Sequence, residues 1–421
     1  QIASVSWPRA RQKRAKMSAG NIETTRLPRC LTPLTAGMAE EIRTRFMDFL
    51  LYASLVASSS YKGTVPEARG KEMAGSAAKI LLMAAGLAAL SAVGALAEPV
   101  QPVPSHTGPI PLDAPSVDIR NAVIAARIYL TDSEKGFYRG TRFDQSGVIG
   151  SLTLGGQNFY GPWFDRVSPE VMDYVFTPDG IVGGADSAIC GPVEEFAPVG
   201  FDQAAPGGTF LKIGVGMLRK PDSEPYDHYR LYDIRDAGKR DVRWTRSSVT
   251  FTQNIAGAIR YVKTLRLMPG KPEMRIEHVL TNTGSAPIST TVYDHNFLTL
   301  SPGNQDIVVA LPFPITPDNV PDPNMVRIAG NRFAYVRPLK DKDSVSFHIA
   351  GFGTTSRDYD IQVGNAKTGA GMRVTADQPL SKLNVWSIRS VMAVEPYIDI
   401  VLLPGTTKRW VYTYRYKAPA R

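Results

Sequence analysis

The sequence predicts an all-β fold: a large antiparallel sandwich with few short helices. Three observations point that way. Nearly every clear segment beyond residue 121 has the two-residue period of a strand. Strand-like segments recur about every 10–15 residues, with turn residues between them. Gly (36) and Pro (32) are abundant among the 421 residues and follow no collagen period, which suits many short connections.

The elements follow in order. Val249-Thr-Phe-Thr-Gln-Asn-Ile255 alternates apolar and polar residues. The next strand, 258–268, closes on Pro269-Gly270, a turn signal. A third, 274–280, ends in Asn282-Thr283-Gly284, and a fourth spans 288–300. Near the end, 391–403 stops at Pro404-Gly405, and 408–416 makes a last strand. Ser168-Pro169-Glu170 reads as a cap with Pro at the first helical position, so a short helix is expected over 168–175. Gly150–Gly156 reads as a hairpin turn between strands.

Charge and cysteine usage exclude several function classes. The net charge of +9 is concentrated in residues 1–97, which hold 13 Lys+Arg against 6 Asp+Glu. The remaining 35 basic and 33 acidic residues leave the body nearly neutral, so the charge is no argument for nucleic acid. Cys30 and Cys190 are the two cysteines, too few for a disulfide framework, and Cys190 reads as a small buried hydrophobe. The five histidines (His106, His228, His278, His295 and His348) are scattered without metal spacing, and there is no G-x-S-x-G, P-loop or dinucleotide fingerprint. Neither metal nor cofactor is expected.

Residues 79–97 combine a basic residue, an apolar and small run, and Ala95-Leu96-Ala97. This is the pattern of a secretory signal peptide, with cleavage before Glu98 and a periplasmic or secreted product. Met73 would be a natural start, which makes 73–97 the leader and 1–72 an upstream extension without function. No stable membrane insertion is expected after cleavage. The Pro-rich stretch 98–120 reads as a linker, and 121–418 as one domain.

Two strands stand out by period. In 391–400 one face holds Met392, Val394, Pro396, Ile398 and Ile400, all apolar. The other holds Ala393, Glu395, Tyr397 and Asp399. A carboxylate between a small residue and a tyrosine suits either a ligand-facing surface or a solvated outer face. In 291–300, His295 shares a face with Tyr293 and Phe297, while Asp294 and Asn296 point the other way. His295 is either a packing residue or a ligand-facing one. His278 shares its face with Met274, Ile276 and Leu280 and reads as a core histidine.

Four blocks taken together resemble the galactose mutarotase (aldose 1-epimerase) superfamily. They are Gly140–Leu154, Tyr160-Gly-Pro-Trp-Phe164, the run from Thr281-Asn-Thr-Gly to Asp294-His-Asn-Phe297, and Val394-Glu-Pro-Tyr397 with Leu403-Pro-Gly and Tyr412-Thr-Tyr-Arg-Tyr416. The resemblance implies a β-supersandwich with a sugar in its cleft, and it implies His295 as acid and Glu395 as base. These are also the two residues that strand period singles out. It further implies Arg142 as a donor to sugar hydroxyls, His228 as the second histidine, and Trp163, Tyr293, Trp386 and Tyr397 as aromatic contacts. The chain departs from the family where Tyr397 replaces the glutamine after Glu-Pro and where the aromatic after His295 is displaced.

The residue types suit mutarotation. One group takes the proton of the anomeric hydroxyl while another protonates the ring oxygen. Glu and His, with ordinary pKa values of about 4.3 and 6.5, can be tuned toward neutral pH. The expected function is therefore an exported, sugar-directed, aldose 1-epimerase-like protein. A non-catalytic carbohydrate-binding sandwich and a glycan-cleaving enzyme on the same fold are the alternatives. Asp399 lies about 13 Å from Glu395 along a strand, too far for a retaining carboxylate pair.

Overall fold

A computed structural model of the chain describes residues 106–420. The expected leader, the upstream extension and the start of the linker lie outside the described residues.

The regular secondary structure of the described residues is almost all strand, as composition and periodicity predict. Among the described residues the one helical element is a 3-10 turn, Pro302–Asn304. Two antiparallel sheets dominate. The first has six strands, ordered Thr316–Pro317, Ser344–Ala350, Lys382–Ile388, Val391–Leu402, Ile288–Phe297 and Gly191–Phe196. The second has ten, and its centre is formed by Ile259–Leu267, Glu273–Asn282, Thr407–Lys417 and Gly371–Ala376. Each strand read from the sequence between 249 and 416 is present to within three residues at either end.

Alternation decides where the core lies. On Val391–Leu402, Met392, Val394, Ile398, Ile400 and Leu402 enter the main apolar cluster. There they meet Val249, Phe251, Leu265, Ile276, Trp410 and Tyr412 of the ten-stranded sheet. The opposite face of the six-stranded sheet is also covered. Val391, Tyr293 and Phe297 from that face pack with Phe143, Trp163 and Ile189 in a second cluster. The central strands are therefore buried on both sides, and a polar side chain on either face needs a partner.

Three local expectations are corrected. Residues 168–175 form no helix. Arg166–Ser168 pairs in parallel with Val182–Gly184, and Tyr174–Thr177 pairs antiparallel with Gly180–Gly183. The Ser168 hydroxyl does accept from the Glu170 N–H as a cap would, at 3.1 Å. Strand pairing and burial of the β-branched Val171 and Val175 against Val182 override that local signal. The linker ends earlier than expected: Gly108 bridges Val167, and Ser116–Arg120 is a strand paired with Ala125–Tyr129. Pro109, Pro111 and Pro115 all precede this strand, so its ladder loses no N–H donor. Gly150 lies inside the strand Val148–Leu154, where a Cβ would sit 2.5 Å from the Tyr129 ring. The turn itself is Gly155-Gly156, both at positive φ.

Candidate functional site

The site forms where a sheet ladder is interrupted. Val391–Leu402 pairs with Ile288–Phe297 from Ile288↔Leu402 to Tyr293↔Tyr397. The pairing then lapses and resumes only at the bridge Leu298↔Met392. Pro396 lies in this gap and has no N–H to give. The Asn296 side-chain amide fills in, donating to the Val394 carbonyl at 3.0 Å. Continuing the register across the gap sets His295 opposite Glu395. Their side chains meet, with Nε2 and Oε1 3.2 Å apart. Both residues are buried.

The neighbouring strands extend this surface. Lys382–Ile388 sets Asn384 opposite Glu395 and Trp386 opposite Ala393. On the other side, Gly191–Phe196 sets Glu195 opposite Tyr293. Alternation splits the pair Glu194-Glu195 between the two faces. Glu195 joins the site, accepting from Arg142 Nε at 2.8 Å, from the Tyr293 hydroxyl at 2.5 Å and from Lys212 Nζ at 3.4 Å. Arg142 also donates to the Tyr293 hydroxyl at 3.0 Å and to Ser187 Oγ at 3.4 Å. His228 Nδ1 lies 3.6 Å from Glu195 Oε1.

Glu194 turns into the core between the sheets. It pairs with Lys263 and, at 2.8 Å, with His278 Nε2; Lys263 also reaches Asp144 at 3.4 Å. His278 is buried, as expected, and stacks on Trp410 at 4.6 Å, yet its polar partner is a carboxylate. Asp294 also faces this layer and pairs with the Tyr414 hydroxyl. Burial acts first on both carboxyls and in the same direction. Lys263 and His278 overcome it at Glu194 and hold that group down at about 2. At Asp294, burial and the nearby Glu194 prevail and push the pKa well above the carboxylate range.

The same contest separates the carboxyls at the site. Burial would raise Glu195, but Lys212 and then Arg142 hold it well below the usual range. Glu395 has no such partner. Burial lifts its pKa to about 7, against weaker pulls from Arg142 and Asn384. Burial and then the Arg142 charge depress His295 well below its ordinary value. Around neutral pH the touching pair therefore consists of an uncharged imidazole and a carboxyl that is about half protonated.

All eight residues singled out from the sequence line one cavity of about 250 Å³: Glu395, His295, Arg142, Trp163, His228, Tyr293, Trp386 and Tyr397. Glu395 and His295 touch side by side on one wall. Arg142 and Trp163 differ in detail from expectation. Arg142 turns three of its groups toward Glu195, Ser187 and Tyr293, so much of its hydrogen-bonding capacity stays within the protein. Trp163 is buried and lies parallel to Phe297 at 5.9 Å, with its N–H on the Ile189 carbonyl. It forms a wall, whereas the partly exposed Trp386 and Tyr397 present aromatic surface. Asp399 is exposed and does not line the cavity.

Sequence reasoning missed Asp173, Ser187, Tyr229, Lys382 and Asn384 on the lining, and Glu195 and Lys212 behind it. Lys382 and Asn384 were open to detection, since they share a period-2 row with Trp386. Glu195 also left a signal, as adjacent glutamates in a short strand framed by Val193 and Phe196 put one carboxylate on each buried face. Asp173 and Tyr229 come from loops that no periodicity reads. Among the described residues, no group of three or more His, Cys, Asp or Glu is placed to hold a metal ion, and no helix is long and apolar enough to cross a membrane.

No family model matches the chain, and no curated protein matches it. Solved structures do resemble it. A galactose mutarotase-like protein from Lactobacillus casei is 15% identical, with 72% of this chain and 100% of that chain covered and a TM-score of 0.43. An aldose epimerase homologue from C. elegans is 13% identical, with 74% and 99% covered and a TM-score of 0.42. A galactose mutarotase related enzyme from Lactobacillus acidophilus is 13% identical, with 72% and 97% covered and a TM-score of 0.41. These are proteins the chain is similar to. What the site can do follows from its own geometry.

Proposed function

We propose that the cavity binds a monosaccharide and that Glu395 and His295 interconvert its anomers. The observation that carries this reading is the 3.2 Å contact between an uncharged imidazole and a carboxyl with a pKa of about 7 on the wall of a small aromatic-lined hollow. A volume of about 250 Å³ lies below the usual range for drug-sized ligands and suits one sugar ring better than a polymer.

The adjacency suits the chemistry. The anomeric hydroxyl and the ring oxygen are bonded to the same carbon, so a base for one and an acid for the other belong side by side. Below pH 7 the pair holds one mobile proton, mainly on Glu395. Passing it to His295 Nε2 gives a carboxylate and an imidazolium. The carboxylate then takes the anomeric hydroxyl proton while the imidazolium protonates the ring oxygen. The C1–O5 bond breaks, C1=O forms, and the proton ends on Glu395 again. Rotation about C1–C2 and the reverse steps close the ring on the other face. Each proton-transfer group typically contributes about 10²–10⁴-fold.

The test is polarimetry or proton NMR of anomer equilibration on several aldoses. The wild type should exceed the buffer rate, and Glu395→Gln should lose at least about 100-fold. A wild type that never exceeds the buffer rate on any free aldose overturns the proposal. Within the same reading, residues 79–97 direct export. Sequencing the N-terminus of the mature protein checks this, with Glu98 as the expected first residue.

A further inference from the structure

The bonding pattern beside the ladder gap fixes what kind of pair His295 and Glu395 form. Past the gap, Leu298 and Met392 exchange both backbone hydrogen bonds, at 2.9 and 3.0 Å. In an antiparallel ladder such bonded pairs alternate with unbonded ones. Carried back along the same register, the bonded positions are Asn296 with Val394 and Asp294 with Pro396. His295 and Glu395 are the unbonded pair between them, the type whose side chains approach closest.

Pro396 has no N–H, so the Asp294 carbonyl loses its ladder donor. A side-chain amide makes up the loss. Asn296 Nδ2 donates to the Asp294 carbonyl at 3.2 Å and to the Val394 carbonyl at 3.0 Å. Asp294 and Val394 immediately precede His295 and Glu395, so one amide grips both strands beside the reacting pair.

The amide is itself held from the opposite sheet. Its Oδ1 accepts from the Tyr414 hydroxyl at 2.8 Å, and that hydroxyl also meets the Asp294 carboxyl. A hydroxyl has one proton and Oδ1 can only accept, so the carboxyl is the donor to Tyr414. Burial agrees, since it keeps Asp294 protonated. Donation therefore runs from Asp294 to Tyr414 to Asn296 and on to the two carbonyls, and the amide has a single orientation. All three side chains are buried, and none of them lines the cavity.

We propose that Asn296 is the positioning residue of the site. Its amide, oriented by Tyr414 and Asp294, stands in for the ladder bond that Pro396 cannot make and holds His295 Nε2 against Glu395 Oε1. That this contact serves proton exchange on a sugar rests on the reading above.

Two measurements on the full chain separate those claims. The first needs no activity. Nitrogen NMR of the His295 ring, assigned by its loss in His295→Gln, should show a step as Glu395 titrates near pH 7. Asn296→Ala should largely abolish that step. The second is kinetic: Asn296→Ala should lower kcat for anomer equilibration by about 10–100-fold while sugar affinity stays within about twofold. Pro396→Ala gives back a backbone donor opposite the Asp294 carbonyl, so adding it to Asn296→Ala should recover part of both losses. Tyr414→Phe keeps the amide but frees its orientation; it should act in the same direction and serves if Asn296→Ala does not fold. Circular dichroism and urea unfolding check each variant. Variants that lose stability but keep the His295 step at its wild-type size show a merely structural amide and overturn the inference. A wild type with no such step overturns it as well. If the step collapses in the variants but the wild type equilibrates no aldose faster than buffer, the positioning role stands and the anomer reading falls.

Discussion

Glu395 should make the protein less stable as pH rises, and its replacement should remove that dependence. In the unfolded chain its carboxyl titrates near its ordinary value of 4.5, whereas in the fold burial lifts it to about 7. Between those values the folded state binds more protons than the unfolded state, so folding stability falls as pH rises across the window. The gap from 4.5 to about 7, at 1.36 kcal/mol per pH unit, comes to about 3 kcal/mol. The cost is absent at pH 4, develops between 4.5 and 7, and is complete above 7. Glu395→Gln keeps the shape and cannot ionise. His295 acts in the opposite direction: its folded pKa is depressed, so its contribution is lost as pH falls through its unfolded value near 6.5. The informative quantity is therefore the variant-minus-wild-type difference. Urea unfolding at pH 4, 5, 6, 7 and 8 measures it. The variant should gain about 3 kcal/mol on the wild type between pH 4 and pH 8. Parallel stability curves would show that Glu395 ionises as it does in water and would remove the physical basis assigned to the pair.

Other outcomes follow from the same structure. If the one-proton pair is the active form, kcat/KM for anomer equilibration should fall as pH rises through about 7; a pH–rate profile that stays flat from 6 to 9 contradicts this. Lys263→Met leaves Glu194 and Asp144 buried without their shared cation and should cost about 3–5 kcal/mol, read by denaturant unfolding. Gly191→Ala should destabilise by about 1–3 kcal/mol by the same measurement. Gly191 sits at φ 77°, and a Cβ there would lie 2.6 Å from both Cβ and the carbonyl oxygen of Ile149.

The sequence by itself determined the strands and their faces. Period 2 separates the two sides of a strand whatever it packs against. It therefore placed Glu395 and Tyr397 away from the core formed by Met392, Val394 and Ile398, and His295 with Tyr293 and Phe297. Only the tertiary structure decided what those faces meet. The contact of His295 with Glu395 depends on a register between strands a hundred residues apart and on a ladder gap at Pro396. The distinct pKa values of Glu395, Glu195 and Glu194 depend on which cations fold against them. Lys212, Arg142 and Lys263 all come from distant segments. Asp173 and Tyr229 reach the cavity from loops, and the expected helix over 168–175 gave way to strand pairing. Periodicity records local geometry along one chain segment. Charge balance and proton sharing are set by through-space neighbours, and those exist only once the sheets have closed on each other.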